Sequence, residues 1–313
     1  MFCCKKKKVD SYEQVSKKEP KTKSAPIVIE NLMEEKWVQR AFDMGVKKLR
    51  EEFKTLASFE PKDLTYKAYN TNRYTNPKKY IVAQNPSRRT QHNFWAMVIQ
   101  ENVHEIAKFG SIATCCGCNR FWPEKTEEIW HIGEPRNRIK LFMVKNQKSI
   151  IEDPHSTTTT VILKWSDKSR TVIIQEFDKF PYVEMTSLVS HDTVDKDKKP
   201  ATMLACCPTG IGDSATFVAM GVIYDMIKKK EYMLMPEFFK NFRKLRPGAI
   251  TTEEHYLFIH QALIKLFLGA RKKLEDTTEY QYEQWQQAAE IACIPPPPEE
   301  CRDCGYEECI CRA

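Results

Sequence analysis

Thr202-Met203-Leu204-Ala205-Cys206-Cys207 runs into Pro208-Thr209-Gly210-Ile211-Gly212-Asp213-Ser214 and then into the apolar segment that opens with Ala215-Thr216-Phe217-Val218. An uncharged run, a turn with two glycines and a second apolar run predict a buried strand, a tight loop and a helix. That order gathers the loop's backbone N–H groups and the positive end of the helix dipole around one point, the layout of an anion cradle. A cysteine at the lip of such a cradle is a candidate nucleophile, because the same positive potential favours its thiolate. A plain strand–turn–helix corner with a buried thiol fits the pattern too, and both readings stand at this point.

Working outward, strands are predicted at 79–83, 103–109, 139–144, 159–165, 171–177 and 202–206. The fourth and fifth, joined by Ser166-Asp167-Lys168-Ser169, predict an antiparallel hairpin. Val46, Leu49, Phe53 and Leu56 recur at helical spacing, so 34–57 reads as one or two helices. Further helices are predicted at 90–100, 215–229, 236–244 and 252–270. In the last, Tyr256, Ile259, Leu263, Leu266 and Phe267 form one apolar stripe. A run of strands with most helices after it predicts an α/β, mixed α+β, architecture.

The chain has 313 residues, 42% hydrophobic and 29% charged, enough to bury a core without disulfides. Its +7 charge is uneven: residues 1–24 carry +5, residues 294–313 carry −3, and the remainder is too dilute for a nucleic-acid surface. Composition divides it into a basic segment, 1–24, expected to be disordered, a folded body, 25–292, and a Pro/Cys/Glu-rich tail, 293–313. The start has no apolar signal segment and no long apolar run follows, so a reduced, cytoplasmic setting is expected and the twelve cysteines read as thiols. Cys3 and Cys4 before Lys5-Lys6-Lys7-Lys8 form an acylatable, polybasic pair of signals for an anionic membrane leaflet. A merely solubilising basic start fits as well. Cys301, Cys304, Cys309 and Cys311 are numerous enough for one tetrahedral zinc, although a tail of free or acylated thiols explains them equally.

The motifs also resemble a family. The 206–214 loop resembles the signature loop of the tyrosine-specific protein tyrosine phosphatases, with Cys207 on the nucleophile and Gly210-Ile211-Gly212 matching directly. Tyr80-Ile81-Val82-Ala83-Gln84-Asn85-Pro86, then Thr90 and Phe94-Trp95-Ala96-Met97-Val98, resemble the family's next motif. Cys118-Asn119-Arg120-Phe121-Trp122-Pro123, Arg246-Pro247-Gly248-Ala249 and Tyr256-Leu257-Phe258-Ile259-His260 resemble three more, in family order over about 45–270. The resemblance implies a highly twisted mixed sheet flanked by helices and a phosphatase chemistry that needs no cofactor.

The departures fall on the positions that carry that chemistry. Asp213 stands where the resemblance places the phosphate-gripping arginine. A carboxylate repels a phosphate dianion, by ~4 kcal/mol per unit-charge pair at about 4 Å and an effective dielectric near 20. Losing the cation also leaves Cys207 nearer an ordinary thiol. Cys206 replaces the histidine before the nucleophile, Tyr182 in Phe180-Pro181-Tyr182 replaces the general acid, and Thr251 replaces the glutamine that positions water. A phenol with a pKa near ~10 is a poor acid at neutrality. Pro208, Thr209, Ile211 and Ser214 complete the loop. The resemblance therefore implies a degenerate pseudophosphatase of the kind common in nematodes, acting as a scaffold or regulator on protein partners in signalling. The alternative is a weak phosphatase that still uses Cys207, with Arg88, Arg89 or Lys228 supplying the missing cation. A disulfide between Cys206 and Cys207 is a third, redox, use of the pair.

Overall fold

The computed structural model describes residues 32–61, 79–110, 120–126, 128–148, 156–177, 202–269 and 276–293. Their centre is a seven-stranded sheet, in the order β1-β7-β2-β6-β5-β4-β3. The strands are β1 (Lys79–Gln84), β2 (Val103–Phe109), β3 (Ile129–Ile132), β4 (Ile139–Lys148), β5 (Ser156–Trp165), β6 (Lys168–Phe177) and β7 (Thr202–Cys207). β1, β7, β2 and β6 are parallel, and β6, β5, β4 and β3 continue as an antiparallel meander. The sheet is twisted and mixed, and helices cover both faces.

β7 shows why an uncharged six-residue run becomes a central strand. All six residues are buried, and their side chains alternate between two hydrophobic layers. Met203, Ala205 and Cys207 join Ala107, Phe109, Phe177 and the helical core on one face. Leu204 and Cys206 join Ile106, Ile174, Trp95 and Trp122 on the other. Cys206 and Cys207 therefore enter opposite layers, which removes the disulfide expected as one use of the pair.

Helix α1 (Leu32–Ala57) breaks at Gly45, whose φ of 63° and ψ of 165° are open to glycine and strained for other residues. Trp37, Val38 and Ala41 are buried before the break, and Val46, Leu49, Phe53 and Leu56 after it. Both alternatives for 34–57 thus hold in part: two amphipathic pieces joined at a bend. α2 (Gln91–Gln100) covers one face, while α3 (Asp213–Lys228), α4 (Met235–Leu245) and α5 (Glu253–Gly269) pack on the other. α3 is buried without interruption from Ser214 to Ile223, a helix running through the core rather than along its surface. α6 (Asp276–Cys293) lies on α1, where the Trp285 indole donates to the Ala41 carbonyl at 3.2 Å. No helix among the described residues is long and apolar enough to cross a membrane.

Beneath the loop at the end of β7 lies a buried ion pair. Lys108 on β2 and Glu176 on β6 are register partners, their charged atoms are 3.3 Å apart, and the ammonium also donates to the Gly110 carbonyl at 2.5 Å. Gly110 backs Pro208 so closely that an added Cβ would lie 3.4 Å from the proline ring. The pair thus fixes the turn against which the loop rests.

Candidate functional site

β7 ends at Cys207, and α3 begins at Asp213, so the loop sits at the carboxyl edge of the parallel strands, where open α/β sheets place their sites. Cys207 is 1% exposed. Its sulfur accepts the Gly210 N–H at 3.2 Å and lies 3.0 Å from the Ser214 hydroxyl. Those donors suit a thiolate, but the cradle above them is partly filled by the chain itself. The Thr209 hydroxyl accepts the N–H groups of Ile211 and Gly212, both at 3.4 Å, and stands 3.8 Å from the sulfur. Gly210 takes φ +69°, and a Cβ there would come within 2.6–2.9 Å of the Arg246 guanidinium and the Ala83–Gln84 backbone.

Asp213 is the first residue of α3, where a carboxylate is favoured by the helix dipole. Its Oδ1 pairs with His255 Nε2 at 2.8 Å. The other ring nitrogen, Nδ1, lies 3.1 Å from the Thr251 hydroxyl and 3.0 Å from the Thr252 hydroxyl. The ring packs over Gly212, where an added Cβ would sit 3.3 Å from its Cε1. Asp213 is therefore drawn sideways onto the start of α5, joining the loop to the segment that carries Thr251. The Ile250 N–H, donating to the Ile211 carbonyl at 2.8 Å, adds a second tie.

Two arginines hold this rim through backbone carbonyls. Arg246 Nε donates to the Gly210 carbonyl at 3.0 Å. Arg243, 5% exposed, donates to the carbonyls of Ala57, Phe59, Ala249 and Ile250 and stacks on Phe239. Two of the three cations expected as substitutes are engaged or placed elsewhere. Lys228 pairs with Glu34 at 2.7 Å, in the last turn of α3 and ~22 Å along the helix from Asp213. Arg88 lines a separate cavity with Gln91, Arg120, Glu124, Glu128 and Trp130.

The structure thus gathers Cys207, Thr209, Gly210, Ile211, Gly212, Asp213, Ser214 and Thr251 at one rim, with Pro208 against Gly110. Cys206 lies behind them in the other layer, where burial pushes its thiol well above the usual range. Tyr182, Cys3, Cys4, Cys301, Cys304, Cys309 and Cys311 lie outside the described residues. Among the described residues no group of three His, Cys, Asp or Glu side chains could hold a metal. Sequence reading missed His255 and the loop contact of Arg246. His255 follows Asp213 by 42 residues, and only the fold brings them together.

Comparison with known proteins agrees with this architecture. The family profile described as protein-tyrosine phosphatase matches residues 60–265. Receptor-type tyrosine-protein phosphatase zeta of Rattus norvegicus is 24% identical over 228 residues, covering 67% of this chain and 9% of that protein. Receptor-type tyrosine-protein phosphatase alpha of Mus musculus is 23% identical over 214 residues, covering 66% and 26%. The chain thus matches only a minor part of the length of these relatives. A solved structure of PTPN18, from work on its fingerprint on distinct HER2 tyrosine phosphorylation sites, superposes with a TM-score of 0.53 at 18% identity. It covers 61% of this chain and 69% of its own. A second, PTPN18 with HER2 phosphopeptides, gives 0.51 over 60% and 72%. The profile spans more than half of the 313 residues, and the chain belongs to the protein-tyrosine phosphatase family.

Proposed function

We propose that this chain is a catalytically inactive member of its family, a pseudophosphatase that acts by binding protein partners in signalling. The observation that carries the reading is Asp213, an acid at the position the family resemblance assigns to the phosphate-gripping arginine, with its carboxylate turned onto His255. At that position a phosphoryl group over Cys207 would meet a carboxylate, and the N–H groups of Ile211 and Gly212 already have Thr209 as an acceptor. Transition-state stabilisation of the oxyanion type depends on such donors being open and aimed at developing charge. PTPN18 engages HER2 phosphopeptides. For this chain the same face would take a segment of a partner protein without a phosphate in the loop. The Cys3-Cys4 and Lys5–Lys8 start would add peripheral contact with a membrane leaflet.

The second reading, a weak phosphatase, draws on the Gly210 N–H and Ser214 hydroxyl that still surround the Cys207 sulfur. Turnover of a small aryl phosphate by the full chain and by its Cys207→Ser variant separates the two. Equal background rates support the binding module. Turnover abolished by Cys207→Ser makes the chain an enzyme.

A further inference from the structure

The bend of α1 at Gly45 opens a cavity that the phosphatase-like face does not use. It measures about 620 Å³ and is lined by residues before the bend, residues after it, and the α3–α4 turn: Lys36, Gln39, Arg40, Lys48 and Tyr232 among them, with Glu35 and Asp43. One polar atom of the lining, on Arg40, has no partner of its own among the described residues. Arg40 pairs with Glu52 through Nη2, but its Nη1 is buried and finds no acceptor among the described residues. The Tyr232 phenol stays protonated, since burial raises it even with Arg40 nearby, and so remains a donor. Lys36 and Lys48 are exposed at the mouth. Of the two acids, Asp43 already accepts the Gln39 amide at 2.8 Å.

We infer that this cavity binds a phosphorylated polyol, an inositol phosphate presented by a lipid headgroup or free in solution. Lys36 and Lys48 supply the exposed cations that phosphate monoesters require, with the Glu52-paired Arg40 guanidinium behind them. Glu35 and Asp43 would oppose a bare phosphate but accept hydrogen bonds from ring hydroxyls, so the mixed lining selects a polyol over inorganic phosphate. The cavity is larger than a single phosphate needs and falls in the range of small-ligand sites.

The test titrates inositol trisphosphate, and inorganic phosphate as comparator, into the full chain by calorimetry. Lys36→Glu/Lys48→Glu changes the mouth, and Lys47→Glu/Lys54→Glu makes the same charge change on exposed positions outside the lining. Saturable binding of the trisphosphate is expected, weakened roughly tenfold or more by the first pair and little by the second. Tyr232→Phe should weaken it with the melting temperature unchanged. Flotation on phosphatidylcholine vesicles with and without phosphatidylinositol bisphosphate then assigns the source. Lys36/Lys48-dependent flotation indicates the lipid, and binding without flotation indicates the soluble form. No saturable binding to the unmodified chain, or equal loss in both charge-reversed pairs, overturns the inference. Neither result bears on whether Cys207 is catalytic.

Discussion

Acidification should destabilise this protein through one residue, His260, well before its carboxylates titrate. Its ring is 1% exposed, stacks on Trp37 with centroids 5.2 Å apart, and has no partner for either nitrogen among the described residues. Burial, helped by the positive charge of Arg40, pushes its pKa down from 6.5 to about 3. The folded chain therefore takes up this proton far less readily than the unfolded chain. The resulting stability is whole above about pH 6.5 and is lost as pH falls toward 3. One pKa unit corresponds to ~1.4 kcal/mol, so the full gap is worth about 5 kcal/mol, of which about 2 kcal/mol is gone at pH 5. Urea unfolding at pH 7, 6 and 5 measures the slope, and His260→Phe, which keeps a ring against Trp37, should remove about 2 kcal/mol of the difference between pH 7 and pH 5. An unchanged slope in His260→Phe would refute the reasoning and point to a partner for the ring.

The remaining predictions concern the loop and its support. Lys108→Met leaves the Glu176 carboxylate buried and unpaired and should cost ~3–5 kcal/mol, whereas Lys108→Met with Glu176→Leu should recover most of it, as read by denaturant midpoints. Gly210→Ala forces a Cβ against backbone at 2.8–2.9 Å in a left-handed conformation and should cost more than ~2 kcal/mol in thermal unfolding; Gly248→Ala, also left-handed but 3.4 Å from Ile211, should cost about 1 kcal/mol. Asp213→Asn weakens the tie to His255, itself partly open to solvent, and should lower stability by about 1–2 kcal/mol without producing aryl phosphate turnover.

The parts of the fold legible in the sequence were those in which one physical signal dominated. β7, its loop and α3 followed from an uncharged run, two glycines and a second apolar run, and the structure begins α3 two residues earlier than expected. The hairpin lies where expected, tightened so that only Ser166 and Asp167 separate β5 from β6. β3 went unpredicted: it has four residues, and only Ile132 is buried. α6 went unpredicted for a related reason, since Trp285 and Ala289 are its buried apolar residues among those described, too few to mark a stripe. At the site, the sequence showed Asp213 at the position where the family resemblance puts an arginine, but not where its carboxylate turns. The sequence suggested a carboxylate facing the ligand, whereas the fold supplies His255 from another helix and turns it aside.

The central claim, that the Cys207 loop no longer receives a phosphate dianion, is tested most directly by titrating a phosphotyrosine peptide into the full chain and following intrinsic fluorescence or heat. The account predicts no saturable binding that depends on the phosphate, with the phosphorylated and unphosphorylated peptides indistinguishable. Phosphate-dependent binding that Cys207→Ser or a bulky Gly210 substitution abolishes would contradict it.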